Sequence, residues 1–176
     1  MMKTVFGLPA RLLHWVMAVL IVAMLFIGVG MTATVSTWHD TLLSLHRPLG
    51  AAILVLACLR LVVRLTSRPP ALPADLPAWQ KLAAHGSHLA LYGMMIAMPL
   101  IGWAMVSAGG YPVTLWAGMT LPAILPADPT LFAWLRLAHR WVAYLFFLTF
   151  VAHFAAALYH GLIRRDGVLR SMTGKG

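Results

Sequence analysis

Charge is what this sequence most lacks. Of its 176 residues 10% are charged, and the acidic ones are only four: Asp40, Asp75, Asp128 and Asp166. A soluble domain carries about 25% charged residues, so a chain that is 61% hydrophobic with a mean hydropathy of +0.86 reads as an integral membrane protein. Cysteine is nearly absent as well. The lone Cys58 excludes an internal disulfide, and its place in an apolar stretch gives it a packing role. No cleavage pattern of a signal peptide follows the first apolar run, so that run is expected to stay in the mature chain.

What is present is length of apolar sequence. Cutting at the charges leaves uncharged runs at 12–39, 82–127 and 141–163, with a further apolar stretch from Arg47 to Arg60 and Arg64. About 20 apolar residues cross a bilayer as a helix. The expectation is therefore an all-α integral membrane protein, one four-helix transmembrane bundle over residues 1–176, with helices near 11–31, 46–65, 82–107 and 131–161. Thr32–Leu45 reads as the return from helix 1 to helix 2. The link from Ser67 to Ala78 holds Pro69, Pro70, Pro73 and Pro77 and reads as an extended connection. Pro99 is expected to kink helix 3, and Gly109–Pro129 to form an apolar outer loop at the interface. The tail after Arg164 is expected to be loosely ordered.

The net charge of +9 sorts by side. Lys3, Arg11, Arg60, Arg64, Arg68, Lys81, Arg164, Arg165, Arg170 and Lys175 flank one end of the expected bundle, leaving Arg47, Arg136 and Arg140 at the other. The positive-inside rule then sets both termini in the cytoplasm. The basic excess is a topology signal, and nucleic acid drops out as a partner.

Eight histidines interrupt this apolar background: His14, His39, His46, His85, His88, His139, His153 and His160. One histidine in an apolar helix is usually a hydrogen-bonded packing residue, but several within membrane spans need partners that lipid does not provide. His139 and His153 are fourteen residues apart, which on a helix is about 21 Å and nearly whole turns, so both leave the same face. That spacing suits two metal centres at two depths. Topology allows His46 to meet His139 on the outer side. On the cytoplasmic side His153 can meet either His14 or His88.

A structural zinc site needs four convergent ligands. Here the histidines divide between two levels, one cysteine exists, and carboxylates are absent from the spans. Bis-imidazole haem fits better, and with no Cys-x-x-Cys-His run it is expected to be b-type, held by ligation and packing alone. Gly50, Ala51, Gly93, Ala155 and Ala156 leave room for a macrocycle, although small residues serve close helix packing equally. Haem propionates need cations. Arg47 or Arg140 are placed for this outside, and Arg11 or Arg64 inside; each is equally placed to snorkel to the interface.

Four stretches carry a resemblance: Arg11-Leu12-Leu13-His14-Trp15, Leu45-His46-Arg47-Pro48-Leu49-Gly50, Leu82-Ala83-Ala84-His85-Gly86-Ser87-His88-Leu89, and His139-Arg140-Trp141-Val142 running through His153 and Tyr159-His160 to Arg164-Arg165-Asp166-Gly167-Val168-Leu169-Arg170. In this order they resemble the bacterial cytochrome b561 family, which includes di-haem membrane superoxide oxidases. The resemblance implies two haem b groups, with His46 and His139 as axial ligands of the outer one and His14 and His153 of the inner. It implies that His160 lies where ubiquinone binds near the cytoplasmic face, that His88 lines that site or backs the ligands, and that Arg11 meets a propionate or the quinone. Gly161 follows His160 where a relative has a second histidine. The implied activity is superoxide:ubiquinone oxidoreduction in the bacterial inner membrane, with Arg47, Arg136 and Arg140 steering superoxide and His160 relaying a proton. The family also contains electron-carrier subunits, for which a periplasmic redox protein would be the donor and the 109–129 loop a docking surface. A structural or haem-storing membrane protein is the third reading.

Overall fold

The computed structural model describes residues 5–67 and 69–174. Lys3, Arg68 and Lys175, three of the basic residues assigned to the cytoplasmic flank, lie outside the described residues. The chain folds into four long helices, α1 (Leu8–Ala33), α2 (Thr37–Thr66), α3 (Ala78–Ala108) and α4 (Pro129–Leu158), and one short one, α5 (Val168–Thr173). A two-residue ribbon, β1 (Val113–Thr114) antiparallel to β2 (Thr120–Leu121), interrupts the connection between α3 and α4. The four long helices are each long and apolar enough to cross a membrane, and the protein is a multi-pass membrane protein.

Local chemistry explains the helix starts. Pro9 sits in the first turn of α1, where a missing N–H costs nothing. The Asp128 carboxylate accepts from the amides of Thr130 and Leu131 at 2.8 and 3.0 Å, and Pro129 follows it, so α4 begins abruptly. The start of α2 differs from the expected residue 46. Ser36 caps it by accepting from the Trp38 amide, and Asp40 in the first turn complements the helix dipole. The expected long return Thr32–Leu45 is thus a turn of three residues between Ala33 and Thr37. His46 consequently lies about 14 Å along α2 from its start. α3 runs unbroken in assignment through Pro99.

The tail also departs from expectation. After α4 the helix widens into a π-helical turn, Tyr159–Arg164. Arg165 (φ 55°) and Gly167 (φ 84°) then adopt left-handed conformations that reverse the chain. α5 lies back on the start of α1: the Phe6 amide donates to the Ser171 carbonyl at 3.1 Å, and the Trp15 indole to the Met172 carbonyl at 3.0 Å. Leu169 packs onto Gly161, where any larger side chain would collide with it.

α1 packs on α2, α2 on α3 and α3 on α4, an up-down arrangement with both termini and the α2–α3 link at one end. The buried core is Met17 and Ile21, Ile53 and Ala57, Met94 and Met95, and Phe146, drawn from all four helices at mid-length. Large apolar side chains such as Phe26, Leu89 and Ile163 face outward, as a lipid-facing surface requires. At the other end the connection after α3 is stitched down: Trp103 donates its indole N–H to the Pro122 carbonyl at 2.9 Å, and the buried Ser107 hydroxyl accepts from the Ile124 amide at 3.2 Å.

Met17 is fully buried at the centre of this core. Met17→Ala is expected to lower stability by about 2–5 kcal/mol, read as a lower thermal midpoint of the detergent-solubilised protein. An unchanged midpoint would show that the centre of the bundle is not close-packed.

Candidate functional site

The histidines separate into two kinds by their partners. His39 bonds through Nδ1 to the Met31 carbonyl at 3.1 Å, His85 to the Lys81 carbonyl at 2.7 Å, and His160 to the Asp166 carboxylate at 2.6 Å. These have ordinary hydrogen-bonding explanations. The other five, His14, His46, His88, His139 and His153, instead face one another. The ring centres of His46 and His139 are 6.2 Å apart, those of His14 and His153 6.5 Å, and those of His88 and His153 5.4 Å. The Nδ1 atoms of His14, His46 and His139 are buried with no hydrogen-bond partner, which a packing histidine would not tolerate.

These distances test the metal readings. Two imidazoles on opposite sides of one metal ion, each bonded at about 2 Å with its ring centre about 1 Å beyond, stand roughly 6–6.5 Å apart between centres. The pairs His46–His139 and His14–His153 meet that requirement, and His88–His153 falls short of it. Among the described residues no group of three or more His, Cys, Asp or Glu side chains forms a metal site, so tetrahedral zinc has no ligand set. The donor chemistry and spacing fit an axial pair at each of two levels. Gly102 on α3 lies against the first pair; a Cβ there would sit in van der Waals contact with the His139 ring, 3.4 Å from Cε1.

The arginines distribute around these pairs. Arg47 follows His46, is half-buried, and has an unpartnered buried Nε. Arg136 and Arg140, on α4 beside His139, are exposed. Arg11 does not join a histidine pair. It lines a cavity of about 220 Å³ with Leu8, Leu12, Trp15, Met172 and Thr173, between α1 and the tail, where it packs on Gly174 and its Nε is also buried without a partner. Arg64 lies over the Phe6 ring at 6.0 Å.

His160 belongs to a separate network at the termini end. The Asp166 carboxylate takes both His160 Nδ1 and Arg164 Nε, the latter at 2.9 Å, while Arg164 Nη2 reaches Asp75 in the α2–α3 link at 2.5 Å. The π-helical turn carries His160 and Arg164 into this position; such turns often mark functional sites.

Paired imidazoles at two depths of a four-helix membrane bundle define a b-type membrane cytochrome. The family described as prokaryotic cytochrome b561 matches residues 5–175; the chain belongs to it and is a membrane electron carrier using b-type haem. Relatives include Cytochrome b561 homolog 2 of Escherichia coli (strain K12), 28% identical over 97% of this chain and 92% of that protein. Cytochrome b561 homolog 1 of the same organism is also 28% identical, over 91% and 92%. Probable superoxide oxidase CybB of Yersinia pestis is 31% identical over 74% of each chain.

Sequence reasoning passed over Asp166, Asp75 and Tyr92. Asp166 stands in a basic run six residues after His160, and the two meet only because the chain reverses at Arg165 and Gly167. Burial opposes ionisation of Asp166, but hydrogen bonds from His160 and the Val168 amide and the charges of His160 and Arg164 outweigh it, and its carboxyl is held below the usual value. A depressed carboxyl stabilises the fold above the ordinary aspartate range of about 3.9 and loses that contribution as pH falls through its own lower value. The tail is therefore expected to detach in acid below about pH 4, seen as rising hydrogen exchange at 168–173. Asp166→Asn should show that exchange already at neutral pH; equal protection in both proteins would contradict the assignment.

Proposed function

We propose that the chain is a di-haem superoxide:ubiquinone oxidoreductase of the bacterial inner membrane, with both termini in the cytoplasm. The observation that carries this reading is the pair of imidazole couples at opposite depths, with ring centres 6.2 and 6.5 Å apart, a separation that would admit one metal ion between each couple. His46 and His139 hold the outer haem, His14 and His153 the inner. Haem bound there would supply one-electron chemistry, at potentials tuned by these histidines and their surroundings. The reaction balances as two superoxide anions each losing one electron to become dioxygen, while one ubiquinone gains both electrons and two protons to become ubiquinol. The relative named for superoxide oxidase supports this reading over a generic carrier.

The chain's own residues do the rest. Arg136 and Arg140, exposed beside His139, and Arg47 beside His46 form a positive mouth that concentrates a small anion. Among them Arg47, half-buried with a free Nε, is the one suited to a propionate. At the termini end His160 exchanges protons with bound quinone. Asp166 fixes its tautomer by accepting from Nδ1, which leaves Nε2 as the atom that takes up a proton from the cytoplasmic side and passes it on to the quinone. Arg11 offers a guanidinium in the neighbouring tail cavity, to a quinone oxygen or a propionate. His88, at 5.4 Å from His153, backs the inner pair.

The ligand assignment predicts haem content. His139→Ala and His14→Ala should each retain one haem per chain and His88→Ala both, measured by pyridine haemochromogen; loss of a haem in His88→Ala with retention in His14→Ala would reverse the inner pairing. The activity is tested by stopped-flow absorbance. Superoxide should reduce the haem bands and ubiquinone reoxidise them, and Arg136→Gln with Arg140→Gln should slow reduction about tenfold at low ionic strength and flatten its salt dependence. Reduction by a periplasmic redox protein but not by superoxide would make the chain an electron-carrier subunit instead.

A further inference from the structure

Among the described residues Arg60, within the membrane-crossing helix α2, has no carboxylate partner. It lies six residues before the end of α2, and it is half-buried. Its Nε donates to the Tyr92 hydroxyl at 3.0 Å, and its guanidinium lies 5.6 Å from the Tyr92 ring centre. Tyr92 is one turn beyond His88 on α3, so the side chain is turned into the bundle. Arg64, one turn later, behaves otherwise and lies over Phe6 near the chain's start. Snorkelling to the surface therefore accounts for Arg64 and not for Arg60.

The chain's four aspartates all stand elsewhere, three of them engaged. Asp75 and Asp166 pair with Arg164, Asp128 caps α4, and Asp40 stands in the first turn of α2 at the opposite end. Tyr92 satisfies one of five N–H donors of the guanidinium and meets its charge only through the ring face, with no opposite charge. An arginine inside a membrane span ordinarily faces an interior partner, and a buried unpaired charge is costly. Arg60 is fourteen residues from His46 on one helix, as His153 is from His139, so the same register that sets the two histidine levels puts Arg60 at the level of His14, His88 and His153.

We propose that Arg60, oriented by Tyr92, is the fixed cation of the inner haem site: it pairs with a propionate carboxylate and keeps that haem easier to reduce than bis-imidazole ligation alone would. The proposal rests on the di-haem reading above. It makes Arg60 a positioning and tuning residue, because a cation beside an iron favours the state with one electron more. With haem bound, a cation fixed at this level of α2 would favour an electron residing at the end of the bundle nearer the termini.

The test is a redox titration of the visible bands of the full-length, haem-loaded protein. In Arg60→Gln the component that His14→Ala abolishes should become harder to reduce by tenfold or more in its equilibrium constant, about 59 mV for one electron, while the other stays in place. Arg60→Lys, which keeps the charge, should remain near the parent. An unmoved inner component with both haems retained overturns the proposal, as does a shift of the outer component alone. Should Arg60→Gln lose a haem, Arg60→Lys decides: retention with the parental midpoint supports the charge role, and loss there too overturns it in favour of packing. A parent protein without two haems would instead refute the di-haem reading itself.

Discussion

A fourteen-residue register governs the whole bundle. Fourteen residues of α-helix make close to four turns, about 1,400° of rotation and about 21 Å of rise, so each helix repeats its inward face at two depths. The register holds on all four long helices: His14 and Gly28 on α1, His46 and Arg60 on α2, His88 and Gly102 on α3, His139 and His153 on α4. Because neighbouring helices run in opposite senses, the members sort into two layers. The layer nearer the termini holds three histidines and an arginine. The other holds two histidines and two glycines, one of which lies against His139 while the other has open space where a side chain would be.

Packing follows from that layering. The dry core of Met17, Ile21, Ile53, Ala57, Met94, Met95 and Phe146 occupies the interval between layers, and Phe146 is seven residues, about two turns, from both histidines of α4. Apolar side chains at mid-depth hold the helices in the register on which both pairs depend. The polar groups are then confined to two planes where each must find a partner or remain costly. Unpartnered nitrogens on His14, His46 and His139 are what a bundle stabilised by its own packing alone would eliminate, which is why the proposed function gives these residues a ligand.

Much of this was legible in the sequence because membrane spans and their exceptions are one-dimensional signals. Charge-free runs gave the four helices, and the fourteen-residue spacing gave two levels on α4. The start of α2 was not legible, since Thr37, His39 and Asp40 look like a polar link until Ser36 is seen as a cap. The choice between His14 and His88 was not legible from the residues either. Flanking charges give depth to within a turn, whereas the two candidates differ by about 1 Å in their separation from His153. The tail was missed for another reason. Six residues of helix carry too little pattern to predict, and α5 exists through distant contacts with Phe6, Trp15 and Gly161.

The two ends of the bundle differ in a way that fits their proposed tasks. A small anion that gives up one electron needs only access and a positive potential, and the end bearing His46 and His139 offers exposed Arg136 and Arg140 on a rigid helix. Quinone reduction takes protons as well as electrons, so the other end needs a titratable group held in a fixed orientation. There the chain departs from regular helix: the π-helical turn brings His160 to Asp166, Asp166 is shared with Arg164, and Arg164 ties the α2–α3 link through Asp75. A tail helix seated on α1 fixes that constellation. Three of the four carboxylates in the chain serve as structural clamps at helix ends and links, which leaves the interior with cations and imidazoles alone and makes it receptive to anionic groups brought in from outside.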